Sequence, residues 1–267
     1  MRTALLALVA ALAAAGGAQA KPRIVSLDQC ADQYVLALAP RDEIVGLSKR
    51  ALNDDSYLRG QAVGLPERRA SVEAILGARA TMAVTNWAGD VRLPAALASR
   101  GVTVVQIDET SDFTGVRADI RKLAAALDRR ATGETLIAGM DAKLAASRNA
   151  WAGARALYLT PGAFTAGPQT LVGAIMAAAG LASTTTSGGY APVSLEQLVL
   201  HPPAALVLGF FSDLEGGRQH WTIAANGYLQ RLVRQRAIAS LPGSMLGCPA
   251  WFAADGALTL AQARPTR

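Results

Sequence analysis

Apolar positions along this chain gather in short continuous runs separated by stretches in which they recur at helical spacing. Ile24 to Leu27, Ile44 to Leu47, Met82 to Val84 and Val102 to Val105 read as buried strands. Between them, Ala31 to Leu38, Ser71 to Ala78 and Leu93 to Ser99 carry helical spacing, the first stopped before Pro40 and the last at Gly101. Ser48 to Gly60 is polar and holds the turn cluster Asn53-Asp54-Asp55-Ser56. The plan repeats further on. Ala156 to Leu159 and Leu206 to Leu208 are expected as strands. Thr170 to Ala179, Leu195 to Leu200 and Tyr228 to Ala237 are expected as helices, with a short terminal helix over Leu258 to Ala263. Strands alternating with helices predict parallel sheets. From Asp112 to Trp151 the apolar spacing is helical, punctuated at Arg129-Arg130-Ala131-Thr132-Gly133, which predicts two helices, the second long and continuous.

The two halves echo each other. Ser71-Val72-Glu73-Ala74-Ile75-Leu76 returns as Ser194-Leu195-Glu196-Gln197-Leu198-Val199, and each copy runs into an apolar tail without a gap. Each copy has a Ser N-cap with Glu two residues on, then a segment entering a buried strand. Arg23-Ile24-Val25-Ser26-Leu27 and Arg155-Ala156-Leu157-Tyr158-Leu159 open the two units in the same way. The chain is therefore expected to be α/β, with two similar lobes and a cleft between them.

Residues 1–20 carry Arg2, an apolar run from Ala4 to Ala15, and Ala18-Gln19-Ala20, the pattern of a secretory signal cleaved after Ala20. The run is shorter than the roughly 20 residues a spanning helix needs. The expected division is a signal at 1–20, a first lobe at 21–130, a connecting helix at 131–153 and a second lobe at 154–267. Hydrophobic residues are 51% and charged residues 17%, which supports a substantial core rather than disorder. The formal charge is +6, but Lys and Arg are scattered and not interleaved with aromatics, so nucleic acid is not an expected partner. Cys30 and Cys248 form an even pair, read as one disulfide in an oxidising compartment or as two buried thiols.

At these residues the chain resembles the periplasmic substrate-binding proteins of ABC importers for cobalamin and ferric siderophores. The resemblance rests on Arg23 to Leu27, Ser71 to Leu76, Phe164-Thr165-Ala166-Gly167, Tyr190-Ala191-Pro192-Val193-Ser194-Leu195-Glu196-Gln197-Leu198, and Trp251-Phe252, in that order. It implies two Rossmann-like lobes with parallel sheets, joined by one long helix, and a ligand cleft lined by loops at the carboxyl ends of the strands. The implied ligand is a metal chelate: cobalamin, a ferric siderophore or heme. The implied partner is an ABC permease with its ATPase, and the implied location is the periplasm. No cofactor and no reaction are implied, and a monomer is the default.

The resemblance places Asp28, Gln29, Cys30, Tyr57, Asn86 and Trp87 on cleft loops of the first lobe, and Phe164, Thr165, Tyr190, Phe210, Phe211 and Trp251 on those of the second. Tyr57, Trp87, Phe164, Tyr190, Phe210 and Trp251 are the expected ligand contacts, because aromatic planes bury much area with few rotatable bonds. The competing reading of the Trp and Phe residues is core packing, and one of Phe210 and Phe211 is expected to face the core. Cys30 and Cys248 fall on loops of opposite lobes, where a bridge would tether them and free thiols would be soft ligands. The family docks on its permease through one acid per lobe. Glu196 matches in the second lobe. In the first lobe the matching position is Val91, beside Asp90, with Glu73 as the repeat-equivalent candidate; Glu73 and Glu196 also suit helix N-termini as such.

His201 precedes Pro202-Pro203, and His220 stands beside Trp221. No His-x-His, Glu-x-x-His or Cys-x-x-Cys occurs, so a built-in metal site is not expected. Two other readings remain: a periplasmic ligand sensor or adaptor on the same fold, and an exported enzyme using Cys30 or Cys248 as nucleophile with His220 as base.

Overall fold

The computed structural model describes residues 21–87, 90–211 and 226–264. The expected signal at 1–20 and the pair His220–Trp221 lie outside them. The first lobe runs β1 (Ile24–Ser26), α1 (Gln29–Leu38), a 3-10 turn at Arg41–Glu43, β2 (Ile44–Gly46), α2 (Arg59–Ala62), α3 (Val72–Gly77), β3 (Met82–Thr85), α4 (Leu93–Ala98) and β4 (Thr103–Gln106). Its sheet has the order β2-β1-β3-β4, every pair parallel, with Ile24 opposite Met82 and Val84 opposite Val105. The strands are continuous apolar runs because both faces are covered. Ile24 and Val84 feed one core cluster, while Val25 and Ala83 feed another closed by Ile75 of α3 and Leu97 of α4.

Two helices follow: α5 (Phe113–Ala126), capped by Asp112, whose carboxylate accepts from Gly115 N at 2.8 Å, and α6 (Arg130–Ser147). The break between them is at Asp128, which takes φ 54°. The 18 residues of α6 span about 27 Å at 1.5 Å per residue. The second lobe runs β5 (Ala154–Leu159), β6 (Phe164–Ala166), α7 (Leu171–Ala178), β7 (Leu181–Ser183), β8 (Tyr190–Pro192), α8 (Leu195–Leu200), β9 (Leu206–Gly209), α9 (Gly227–Arg236), β10 (Ala237–Leu241), α10 (Gly243–Leu246) and α11 (Ala253–Gln262). Its sheet, β10-β9-β5-β7, is again fully parallel, and β6 and β8 form a separate antiparallel ribbon.

The two Rossmann-like lobes are the predicted architecture, and the repeat is real at the level of side chains. Ser71 Oγ accepts from Ala74 N, and Ser194 Oγ accepts from Gln197 N, each at 3.3 Å. Ile75 and Leu198, equivalent in the repeat, are the buried residues of α3 and α8.

Several elements escaped the sequence pattern. β6, β7 and β8 have three residues each, too few to show a period of two. β10 begins at Ala237, where a helical residue was expected. α11 starts at Ala253 rather than Leu258, because its Ala253, Ala254, Gly256 and Ala257 make a smooth face that packs on α6 and α7. One large cluster takes residues from one face of each sheet and from α1, α5, α6, α7 and α11, so the lobes share a core.

Candidate functional site

The carboxyl ends of β1, β3 and β4 and of β5 and β9 lead into the loops that carry the candidate residues. On the first lobe, Asp28 organises the site. One of its oxygens caps α1 by accepting from Ala31 N at 2.9 Å. The other accepts from Thr85 Oγ1 at 3.0 Å, Asn86 N at 2.7 Å and Trp87 N at 3.0 Å. A single carboxylate therefore joins the start of α1 to the loop after β3. Trp87, on that loop, is 71% exposed.

The adjacent residues extend the same junction. Gln29 Nε2 donates to Asp55 Oδ1 at 2.9 Å, Gln33 Nε2 donates to Ser56 Oγ at 2.9 Å, and Leu58 N donates to Gln33 Oε1 at 2.7 Å. Cys30 is bonded to Cys248 in a disulfide that ties the first turn of α1 to the second lobe. Tyr34 Oη, deeper on the same helix, donates to Pro249 O at 2.7 Å.

On the second lobe the antiparallel ribbon presents Phe164 and Tyr190. Phe164 pairs with Pro192 and Ala166 with Tyr190, so all four side chains share one face of the ribbon. Phe164 is 50% exposed and Tyr190 66%. Partial desolvation and then the carboxylate of Glu109 raise the Tyr190 phenol above its ordinary range, which keeps it a neutral hydrogen-bond donor near pH 7. Beside Tyr190 lies a cavity of about 440 Å³. Glu109, Thr110 and Ser111 reach it from the first lobe, and Gln169, Thr170 and Tyr190 from the second, with Cys248 and Pro249 completing the wall.

The floor behind Tyr190 is tight. A Cβ on Gly209 would stand 1.9 Å from the hydroxyl of Tyr158. That hydroxyl is buried without a hydrogen-bond partner among the described residues, and burial and the neighbouring Tyr190 hold its pKa well above the usual phenol range. Phe210 follows at φ 64°, the left-handed region that a bulky side chain seldom occupies, and its N–H donates to Leu241 O at 3.1 Å. Phe211 packs on the second-lobe core, the expected split between the pair.

Two of the expected ligand contacts, Trp251 and Tyr57, pack between the lobes. Trp251 is 7% exposed, edge-on to Tyr34 with centroids 5.5 Å apart and to Phe252 at 5.3 Å. Tyr57 stacks on Phe252 at 4.3 Å and donates to Asp255 Oδ2 at 2.7 Å. Desolvation first, then that bond, push its pKa well above the usual range. Both rings sit in the seam between the lobes, and their packing there leaves Trp87, Phe164 and Tyr190 as the open aromatics. Glu109, Thr110, Ser111, Gln169 and Thr170 were not singled out in the sequence; the only signal for them was that they follow β4 and β6.

Among the acids, Asp90 is exposed and accepts from Arg92 N at 2.9 Å, next to Val91. Glu196 lies in the exposed first turn of α8. Glu73 holds the same place on α3; hydrogen bonds to its own backbone N–H and to Ser71 hold its carboxyl below the usual range. Neither cysteine is a free thiol, since the two are bonded to each other. Among the described residues no three His, Cys, Asp or Glu side chains cluster as a metal site, and no helix is long and apolar enough to cross a membrane.

Residues 24–227 match the family model described as periplasmic binding protein. A cobalamin-binding protein of Halobacterium salinarum is 27% identical over 205 residues, covering 72% of this chain. The chain matches only 54% of that relative's length. Among solved structures, the periplasmic heme-binding protein RhuT from Roseiflexus sp. RS-1 in apo form superposes with a TM-score of 0.69 at 25% identity, over 91% of this chain and 97% of that one. The periplasmic vitamin B12 binding protein BtuF of Vibrio cholerae superposes with a TM-score of 0.66 at 18% identity, over 90% and 95%, a likeness of fold.

Proposed function

The chain belongs to the periplasmic binding protein family, and from that premise we propose that it captures a metal chelate between its lobes and hands it to an ABC permease in the periplasm. The reading keeps residues 21–130 and 154–267 as the two lobes, 131–153 as the connecting helix and 1–20 as the export signal. The ligand class is cobalamin, heme or a ferric siderophore, and the metal arrives as cargo inside its chelator. The observation that carries this is the inter-lobe cavity lined by Tyr190, together with the exposed rings of Trp87 on one lobe and Phe164 on the other. Rings of this kind bury large apolar area against a flat ligand, while the Tyr190 phenol and the Ser111 hydroxyl supply donors for its polar rim. Phe210 is a further expected contact in this reading. Glu196 is the second-lobe docking acid in this reading, and Asp90 is the first-lobe candidate.

The test is a titration of the mature protein with cobalamin, heme and a ferric-siderophore panel, followed by tryptophan fluorescence with inner-filter controls and by native mass spectrometry. One class should bind saturably at one site. Trp87→Ala should weaken it about tenfold, the loss expected of one aromatic face. If no member of the panel binds, the chelate reading fails and a sensor role on this fold takes its place. Docking is read separately: Glu196→Ala should leave chelate affinity intact and reduce permease-dependent uptake.

A further inference from the structure

We propose that the second lobe carries a binding groove of its own, outside the inter-lobe cleft, for a small organic anion with an apolar body, and that Arg155 is its cationic anchor. The argument comes from comparing the two copies of the repeat. In the first lobe, Arg23 Nη2 donates to Ala78 O at 2.9 Å and Arg23 Nε to Arg79 O at 3.1 Å, so the arginine ties β1 to the end of α3. At the carboxyl end of β2, Leu47 N donates to Pro66 O at 2.9 Å and Arg68 N to Leu47 O at 2.7 Å. The Arg68 stem lies over Gly46, where a Cβ would come within 2.3 Å of its Cγ. The gap between α3 and the edge strand β2 is thereby filled.

The second lobe has the same parts and leaves the gap open. α8 repeats α3, and β7 takes the edge position of β2. Arg155 stands where Arg23 stands, and His201 and Pro202 where Ala78 and Arg79 stand. Yet Arg155 is exposed, and its side chain makes no hydrogen bond or ion pair among the described residues. Between α8 and the segment that follows β7 there remains a groove of about 820 Å³ that Arg155 and His201 line together.

The lining defines the ligand class. Leu157 and Leu198 are buried apolar walls, and the run Thr184-Thr185-Thr186 supplies hydroxyls. Thr165 also lines the groove, is 3% exposed, and its Oγ1 has no partner among the described residues, a buried donor left for an occupant. No lining residue is acidic. An anionic head on Arg155 with an apolar body along Leu157 and Leu198 satisfies each of these groups. The groove shares no lining residue with the cavity beside Tyr190, so the proposal stands apart from the chelate reading.

The experiment titrates the full mature chain with 8-anilinonaphthalene-1-sulfonate, an apolar body bearing one sulfonate, at two salt concentrations. The variants are Arg155→Gln, which removes the anchor, and Thr186→Trp, which fills the groove from an exposed position. Far-UV circular dichroism confirms that each is folded. The wild type should bind one equivalent, more weakly at the higher salt. Arg155→Gln should weaken binding about fivefold and flatten its salt dependence, and Thr186→Trp should abolish it. Absence of saturable binding, or binding that survives either substitution unchanged, overturns the proposal.

Discussion

Asp32 is a carboxyl group with no exposed surface, set in α1 among three donors. It accepts from Ser26 Oγ, from Ser48 N at 2.8 Å and from Ser48 Oγ at 2.6 Å. Those bonds favour its charge, but desolvation outweighs them and its pKa stands above the ordinary aspartate value. The unfolded chain therefore loses this proton near pH 4 while the native state still holds it, and stability falls as pH rises through the folded pKa. Asp119, also raised chiefly by burial, acts with the same sign. Urea melts across pH 4 to 7 should show that decline, and Asp32→Asn should reduce its slope; an unaltered slope would exclude Asp32 as its source. Trp251 belongs to the same scale. The resemblance placed it on a cleft loop as a ligand contact, and in the structure Tyr34 and Phe252 enclose it. Trp251→Ala should lower stability by about 3–5 kcal/mol, whereas Trp87→Ala should alter binding with little change in melting temperature. Gly209→Ala should cost about 1–3 kcal/mol, because the added methyl displaces the Tyr158 ring.

At the scale of elements, capping and helical spacing were readable because they are local. The serine caps of α3 and α8 each need one hydroxyl at one position, so the repeat announced them in the sequence. Ser71→Ala and Ser194→Ala should each lower stability by about 1 kcal/mol. Unequal effects in thermal melts would show that the two copies are not energetically alike. The ribbon of β6 and β8 was not readable. Its strands are held by pairing between residues far apart in the chain, and a three-residue strand carries no period of its own. The same cause hid the cavity wall: Glu109, Thr110 and Thr170 converge only once the ribbon and the loop after β4 meet.

At the scale of the molecule, the lobes are bound by more than the helix α6. α11 packs on α6, Lys143 pairs with Asp255 at 2.5 Å, and Cys30–Cys248 closes a loop with a sequence separation of 218. Constraint of so long a loop in the unfolded chain is worth at most about 5 kcal/mol on the entropic account. The double variant Cys30→Ala/Cys248→Ala should lose a large part of that in denaturant melts. It should also widen the cavity that Cys248 lines, raising the dissociation rate of a bound chelate; an unchanged rate would mean that packing alone sets the cleft. By itself the sequence determined the two α/β units, their repeat and the helical connector, since these follow from local periodicity, caps and composition; that Cys30 and Cys248 pair was decided by the structure. Only the tertiary structure decided which rings are open and which are core, which carboxylate holds the Trp87 loop, and that one copy of the repeat is filled by Arg68 while the other stands open beside Arg155. Those outcomes depend on contacts between residues distant in the chain, and burial is a property of the assembled neighbours rather than of the residue.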